Sequence, residues 1–290
     1  MHPRLRGLAA ALLAATALSL SGCFFNAAEL VFPVLPPNPF DTPPLPPGLL
    51  ATTEQVVARA DLGDGAPGDV TVFAPAPPAT PKGVLVWVLG LNNRAYYHQS
   101  LQEHLASQGW MVLVPDTRDF RFSDFHYHRR IVDIAKRAYN DAIAGAFGNP
   151  PNGFVALGGY SAGATLAAFA SGELGAPDAL AMWAAADSPF WYGVDPDAAL
   201  GAIVAPSLFI LGELDTVAPA DAWPAQMQAQ MTQSAQRIEI VPQGVHLFFQ
   251  EPNQVDDRNP FTTTTREEQM ATAIRLTTEF LDQRLTATLR

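Results

Sequence analysis

Five residues, Gly159-Tyr160-Ser161-Ala162-Gly163, constrain this chain more than any other stretch. Before them runs Phe154-Val155-Ala156-Leu157, an apolar segment of strand length that follows Asn152-Gly153. After them comes Ala164-Thr165-Leu166-Ala167-Ala168-Phe169-Ala170, whose small residues suit a buried helix. A G-x-S-x-G pattern gains meaning in that setting, where a sharp strand-to-helix turn lifts the serine above the strand ends. Such a turn strains the serine backbone and leaves no room beside it, and Gly159 and Gly163 bring no side chains to collide. The pattern predicts an α/β domain that presents Ser161 as a nucleophile. A chance Gly-Ser turn would need neither the strand nor the helix.

A serine hydroxyl attacks poorly without a base, and the base needs a third group to orient it. On this kind of sheet the chain order is Ser, then Asp or Glu, then His, each at the end of a later strand. Ser207-Leu208-Phe209-Ile210-Leu211 reads as a strand followed by Gly212-Glu213-Leu214-Asp215. Arg237-Ile238-Glu239-Ile240-Val241 alternates polar and apolar, then breaks at Pro242-Gln243-Gly244-Val245-His246. Of the six histidines, His2, His98, His104, His126 and His128 precede the serine, and His246 alone follows it. Asp215 is the favoured acid. Its rival is Asp187, at the end of the apolar run 179–186, and Glu213 and Asp221 are weaker competitors.

Negative charge developing on a substrate carbonyl needs two backbone N–H donors, one after the serine and one from the loop after the third strand. Ala162 fills the first position. Gly83-Val84-Leu85-Val86-Trp87-Val88-Leu89 reads as that strand and Gly90-Leu91-Asn92-Asn93 as its loop, with Leu91 the expected second donor.

With these residues in place, the chain resembles the α/β-hydrolase superfamily over roughly residues 55–287. Within it, the likeness is to bacterial cutinase-like polyesterases and their relatives, a group that includes lipases and dienelactone-hydrolase-like proteins. That likeness is carried by residues 105–110 leading into Val112-Leu113-Val114-Pro115-Asp116-Thr117, by Val204-Ala205-Pro206-Ser207-Leu208, and by Asp215-Thr216-Val217-Ala218-Pro219. The resemblance implies a mostly parallel eight-stranded sheet with helices on both faces and hydrolysis of a small or polymeric ester. It also implies that Trp191 corresponds to an aromatic substrate clamp after the sixth strand. Leu91 stands where that family usually has an aromatic residue, Ala162 where it often has methionine, and a C-terminal disulfide is impossible with one cysteine. Ser161 argues against a cysteine nucleophile. The same triad also serves acyltransferases and peptidases, and a non-catalytic envelope binding protein could retain the fold.

The chain starts with Arg4 and Arg6, an apolar stretch from Leu8 to Leu20, and Leu20-Ser21-Gly22-Cys23. This reads as a signal peptide (1–22), since the apolar stretch falls short of the roughly 20 residues of a membrane span. The lipobox-like ending implies lipidation of Cys23 and a location in the bacterial cell envelope, at the outer membrane where one exists. Eight prolines between residues 33 and 47 then favour an extended spacer within 23–50. The catalytic domain is expected over 51–290, with small or no lid because 188–203 is short.

Net charge is −11, and −13 once residues 1–22 and their two arginines are gone. Acidity of this size opposes nucleic acid and anionic lipid headgroups. Asn92, Tyr96 and Trp191 are expected to line a substrate groove. Asp124, His126 and His128 lack further ligands, so no metal and no cofactor are expected, and a monomer is. Opening strands are predicted at 56–60 and 69–73, and helices at 97–108, 129–147 and 221–234. The Thr265-Arg266-Glu267-Glu268 capping pattern predicts the start of a last helix.

Overall fold

The computed structural model describes residues 48, 50–58, 69–91, 93–117, 127–148, 153–175, 177–188, 191, 193–251 and 262–290. Strand β1 (Thr52–Val57) pairs antiparallel with β2 (Val70–Pro75), and β2 pairs antiparallel with β4 (Trp110–Pro115). From β4 onward the pairing is parallel, through β3 (Gly83–Val88), β5 (Val155–Tyr160), β6 (Leu180–Trp183), β7 (Ser207–Gly212) and β8 (Gln236–Val241). The order is β1-β2-β4-β3-β5-β6-β7-β8, an eight-stranded, mostly parallel sheet.

Period-two burial sets the layers. Val84, Val86 and Val88 of β3 join one hydrophobic cluster, and Leu85 and Trp87 join the other. β7 divides likewise, Phe209 and Leu211 against Leu208 and Ile210. Strands covered on both faces in this way read as continuous apolar runs. One layer holds α2 (Tyr127–Ile143), α3 (Ala162–Leu174), α4 (Pro196–Gly201) and α5 (Trp223–Gln230). The other holds α1 (Gln99–Ser107), entered through the 3-10 turn Ala95–His98, and α6 (Arg266–Thr288). Burial of Trp87, Trp110 and Trp183 at the sheet centre contributes on the order of 2–3 kcal/mol each.

Element ends depart from the sequence reading for identifiable reasons. β1 begins at Thr52 rather than 56, because it is an edge strand whose residues are almost all exposed and carry no burial pattern. α2 stops at Ile143, where Gly145 adopts a left-handed backbone (φ 79°). α5 stops at Gln230, and the Gln236 amide holds its end, donating to Gln228 O and to the O of Met231, the residue after the helix, at 2.9 Å each. α6 starts as the capping pattern requires: Thr265 Oγ1 accepts from Glu268 N (3.1 Å) and Glu268 Oε2 from Thr265 N (2.8 Å). Between β6 and β7 the described residues contain a single six-residue helix, α4.

Charge pairing fastens α2 to α3. Arg129 donates to Glu173 Oε1 (2.6 Å) and Oε2 (2.8 Å) and also pairs with Asp133, while Lys136 reaches Glu173 Oε2 at 2.7 Å. The bond from Arg129 is the main cause that pulls the Glu173 carboxyl from an ordinary 4.5 to about 2. A carboxyl held low in the folded state stabilises above its unfolded pKa, and that contribution fades as pH falls from about 4.5 toward 2. Glu173→Gln should therefore cost about 1–2 kcal/mol at pH 7 and almost nothing near pH 2, read from urea unfolding midpoints at both pH values.

Candidate active site

The sheet order reverses between β3 and β5, because β4 lies on one side of β3 and β6 on the far side of β5. In open α/β sheets a crevice forms at that point, beyond the carboxyl ends of the strands. The loop after β3 and the turn after β5 flank it. Gly159 and Gly163 let them come together. A Cβ on Gly163 would lie 2.3 Å from Leu89 O and 2.5 Å from Val88 O, and one on Gly159 would lie 2.6 Å from Val88 O.

Ser161 is held in the turn with φ 56° and ψ −131°, a backbone that costs a non-glycine residue on the order of 1–3 kcal/mol. The end of β6 fixes that conformation. Ser161 N donates to Trp183 O at 2.9 Å, and Ser161 O accepts from Ala186 N at 3.2 Å. Thr165, one turn into α3, donates to Ala186 O and accepts from Trp223 Nε1, which ties the same segment down again. Although Ser161 occupies the N-cap of α3, its side chain caps nothing. Instead its Oγ lies 2.9 Å from His246 Nε2.

His246 Nδ1 in turn lies 2.8 Å from Asp215 Oδ2. An ionised carboxylate can only accept, so Nδ1 carries the proton and Nε2 is left to accept from the serine hydroxyl. Asp215 has a fully buried side chain, and its Oδ1 accepts from Val217 N and Ala218 N at 2.8 Å each. Its two oxygens thus take three bonds, which compensates the burial of its charge. The rival Asp187 accepts from Ser188 N (2.7 Å) and Trp191 Nε1 (3.2 Å). The carboxylate against His246 is Asp215.

Four buried groups that the sequence reading did not single out hold the histidine turn, His246–Phe249. Tyr160 donates its hydroxyl to His246 O at 3.0 Å. Burial first, and then the Asp215 charge, raise the Tyr160 pKa well above 10, so it stays a neutral donor. Gln269 of α6 grips Val245 at both ends, accepting from its N–H (2.9 Å) and donating to its carbonyl (2.7 Å). Arg266 donates to the carbonyls of Leu247 and Gln250, and Gln250 accepts from Asn93 Nδ2 at 2.9 Å. One signal was available for Gln269. It lies on the α6 stripe that continues through Ala273, Thr277 and Phe280, where a glutamine is out of place unless it has buried work.

Leu91 begins the turn after β3 and packs against the core, and Ala162 is the first residue of α3. Among the described residues, neither N–H meets a backbone acceptor. Tyr96 is exposed and stacks edge-on against Tyr97. Trp191 is half-buried, its ring set against His128, Phe169 and Trp223. Asn92, Cys23, Asp124 and His126 lie outside the described residues. Among those described, no three His, Cys, Asp or Glu side chains are placed to hold a metal, and no helix is long and apolar enough to cross a membrane.

Solved structures share this architecture. A candidate dienelactone hydrolase from Klebsiella pneumoniae subsp. pneumoniae superposes with a TM-score of 0.61 at 13% identity, covering 80% of this chain and 99% of that one. A protein from Thermus thermophilus gives 0.56 at 18% identity, covering 81% and 98%. At such identities the likeness shows the fold, which is that of the α/β-hydrolases. None of the curated proteins matches the sequence. The model of the dienelactone hydrolase family matches residues 69–285, which takes in the serine turn, both candidate acids and the histidine. This chain belongs to the dienelactone hydrolase family.

Proposed function

We propose that this protein is a serine hydrolase that cleaves carboxylic esters through an acyl-enzyme. The observation that carries the reading is the continuous line Ser161 Oγ–His246–Asp215, with gaps of 2.9 and 2.8 Å. His246 Nε2 takes the hydroxyl proton as Oγ bonds to the ester carbonyl carbon, and returns it to the leaving alcohol as the ester bond breaks. Asp215 keeps Nδ1 protonated and stabilises the imidazolium formed in between. Water, activated by the same histidine, then releases the acid. The N–H groups of Leu91 and Ala162 receive the oxyanion. Ala162 lies in the first turn of α3, where the helix has N–H groups without intrahelical partners and a partial positive charge. Each such donor contributes about 10²–10³ in kcat.

Trp191 and Tyr96 are proposed to contact the substrate, together with Asn92. In support, Trp191 is joined through Asp187 to the segment whose Ala186 N–H holds the Ser161 carbonyl. For cellular placement we propose export and attachment to the envelope through a lipidated Cys23, on the sequence features alone. Multiple acyl chains would hold firmly, at about 0.8 kcal/mol for each buried methylene.

The test is turnover of 4-nitrophenyl esters of graded acyl length by the full chain. Acid and nitrophenol should appear in equal amounts. An added alcohol at high concentration should divert part of the acid into a new ester, as trapping of an acyl-enzyme requires. Folded protein that hydrolyses no member of the panel would overturn the reading.

A further inference from the structure

We propose that Asn93 and Gln250 form a positioning pair that locks the loop carrying the Leu91 N–H to the turn carrying His246. The inference rests on the ester-hydrolase reading above and names two residues that act through others. The loop after β3 closes on itself when Asn93 N donates to Gly90 O at 3.1 Å, with Leu91 inside the closed turn. The Asn93 side chain then leaves the loop. Its amide donates to Gln250 Oε1 at 2.9 Å and lies 3.5 Å from His98 Nε2. Gln250 is 3% exposed and Asn93 8%, so the bond between them is made away from water. From Gln250 the connection continues through its carbonyl to Arg266, which also holds Leu247 O, the residue after His246. One chain of bonds thus runs from the proposed oxyanion loop to the turn that carries His246.

His98, which backs Asn93, is fully buried among Trp87, Trp183 and Tyr160. Burial pushes its pKa down to about 3. It therefore stays neutral and offers a nitrogen lone pair to the asparagine. Asn93 is left with little freedom: one amide hydrogen goes to Gln250 and the other faces the imidazole.

Two further bonds join the same segments further out. Glu251 N donates to Tyr97 O at 2.6 Å, and Ser100 N donates to Glu251 Oε1 at 3.0 Å. They remain when the pair is broken, so the loss should be one of local spacing. A misplacement of about 1 Å in such a site costs on the order of 10²-fold in rate.

The test compares wild type, Gln250→Leu, the milder Gln250→Asn, and the length swap Asn93→Gln with Gln250→Asn, each as the full chain. Gln250→Leu should lower kcat on a 4-nitrophenyl ester by about 10–100-fold while KM changes less than about threefold. The inhibition constant of a trifluoromethyl ketone, which mimics the tetrahedral adduct, should rise by the same factor. A role in folding alone would not move that constant for protein of unchanged circular dichroism. Gln250→Asn should fall between wild type and Gln250→Leu, and the swap should recover most of kcat. Wild-type kcat and inhibition constant in folded Gln250→Leu would overturn the pair. If Gln250→Leu does not fold, wild-type values in Gln250→Asn would do so. Wild type without ester turnover would remove the hydrolase reading itself, whereas an active wild type with unaffected variants removes the pair alone.

Discussion

Asp215→Asn is expected to lower kcat by about 10³–10⁴-fold, while Asp187→Asn leaves it close to wild type. An asparagine at 215 can turn its amide nitrogen toward His246 Nδ1, and the imidazole then protonates at Nε2, where it can no longer accept the Ser161 proton. The fold should survive, because the remaining side-chain oxygen can still accept from Val217 N and Ala218 N. Asp187 has a different occupation. It holds Ser188 N and the Trp191 indole, and an asparagine oxygen serves both. Steady-state kinetics on a chromogenic ester, beside circular dichroism, decide the matter. The opposite ranking would move the catalytic acid to the loop after β6.

Gly163→Val should remove most of the soluble folded protein. The new Cβ would need to sit 2.3 Å from the carbonyl oxygen of Leu89, just past β3, and 2.5 Å from that of Val88, the last residue of β3, and both are backbone atoms. Real contacts of this kind essentially never fall under 3.0 Å, so α3 must move off the sheet. Overpacking against flexible side chains costs about 1–3 kcal/mol, and rigid backbone should raise this to at least about 3–4. That is a large part of the 5–15 kcal/mol that holds a domain together. A fall in Tm of roughly 10 °C or more is expected. Gly201→Ala is the control, since its Cβ would meet nothing within 4 Å. A Gly163→Val protein with wild-type Tm would show that the close approach of β3 and α3 is not required.

Local patterns were legible in the sequence where a residue answers to its own neighbours. The serine turn was readable because Gly159, Ser161 and Gly163 solve one steric problem within five positions. The start of α6 was readable because Thr265 and Glu268 cap each other. Order along the chain, together with one histidine after the serine, points to His246 and Asp215, and the fold brings their side chains together. The run 179–186 was less transparent. Only Leu180–Trp183 is strand, because Ala184 takes a left-handed backbone (φ 45°) and Ala186 N then donates to Ser161 O. Burial made all eight look alike. The Asn93–Gln250 contact joins positions 157 residues apart, and no periodicity announces it. Trp191 reads from the resemblance as an aromatic substrate clamp, but its partners His128, Phe169 and Trp223 come from three other elements.

The central claim is that Ser161 is an activated nucleophile. Its most direct test is reaction of the full chain with a fluorophosphonate probe beside Ser161→Ala, followed by intact mass and peptide mapping. The account predicts one adduct per chain, on Ser161, and none in the variant. Folded wild type that stays unlabelled, or a Ser161→Ala chain that labels as well as wild type, would contradict it.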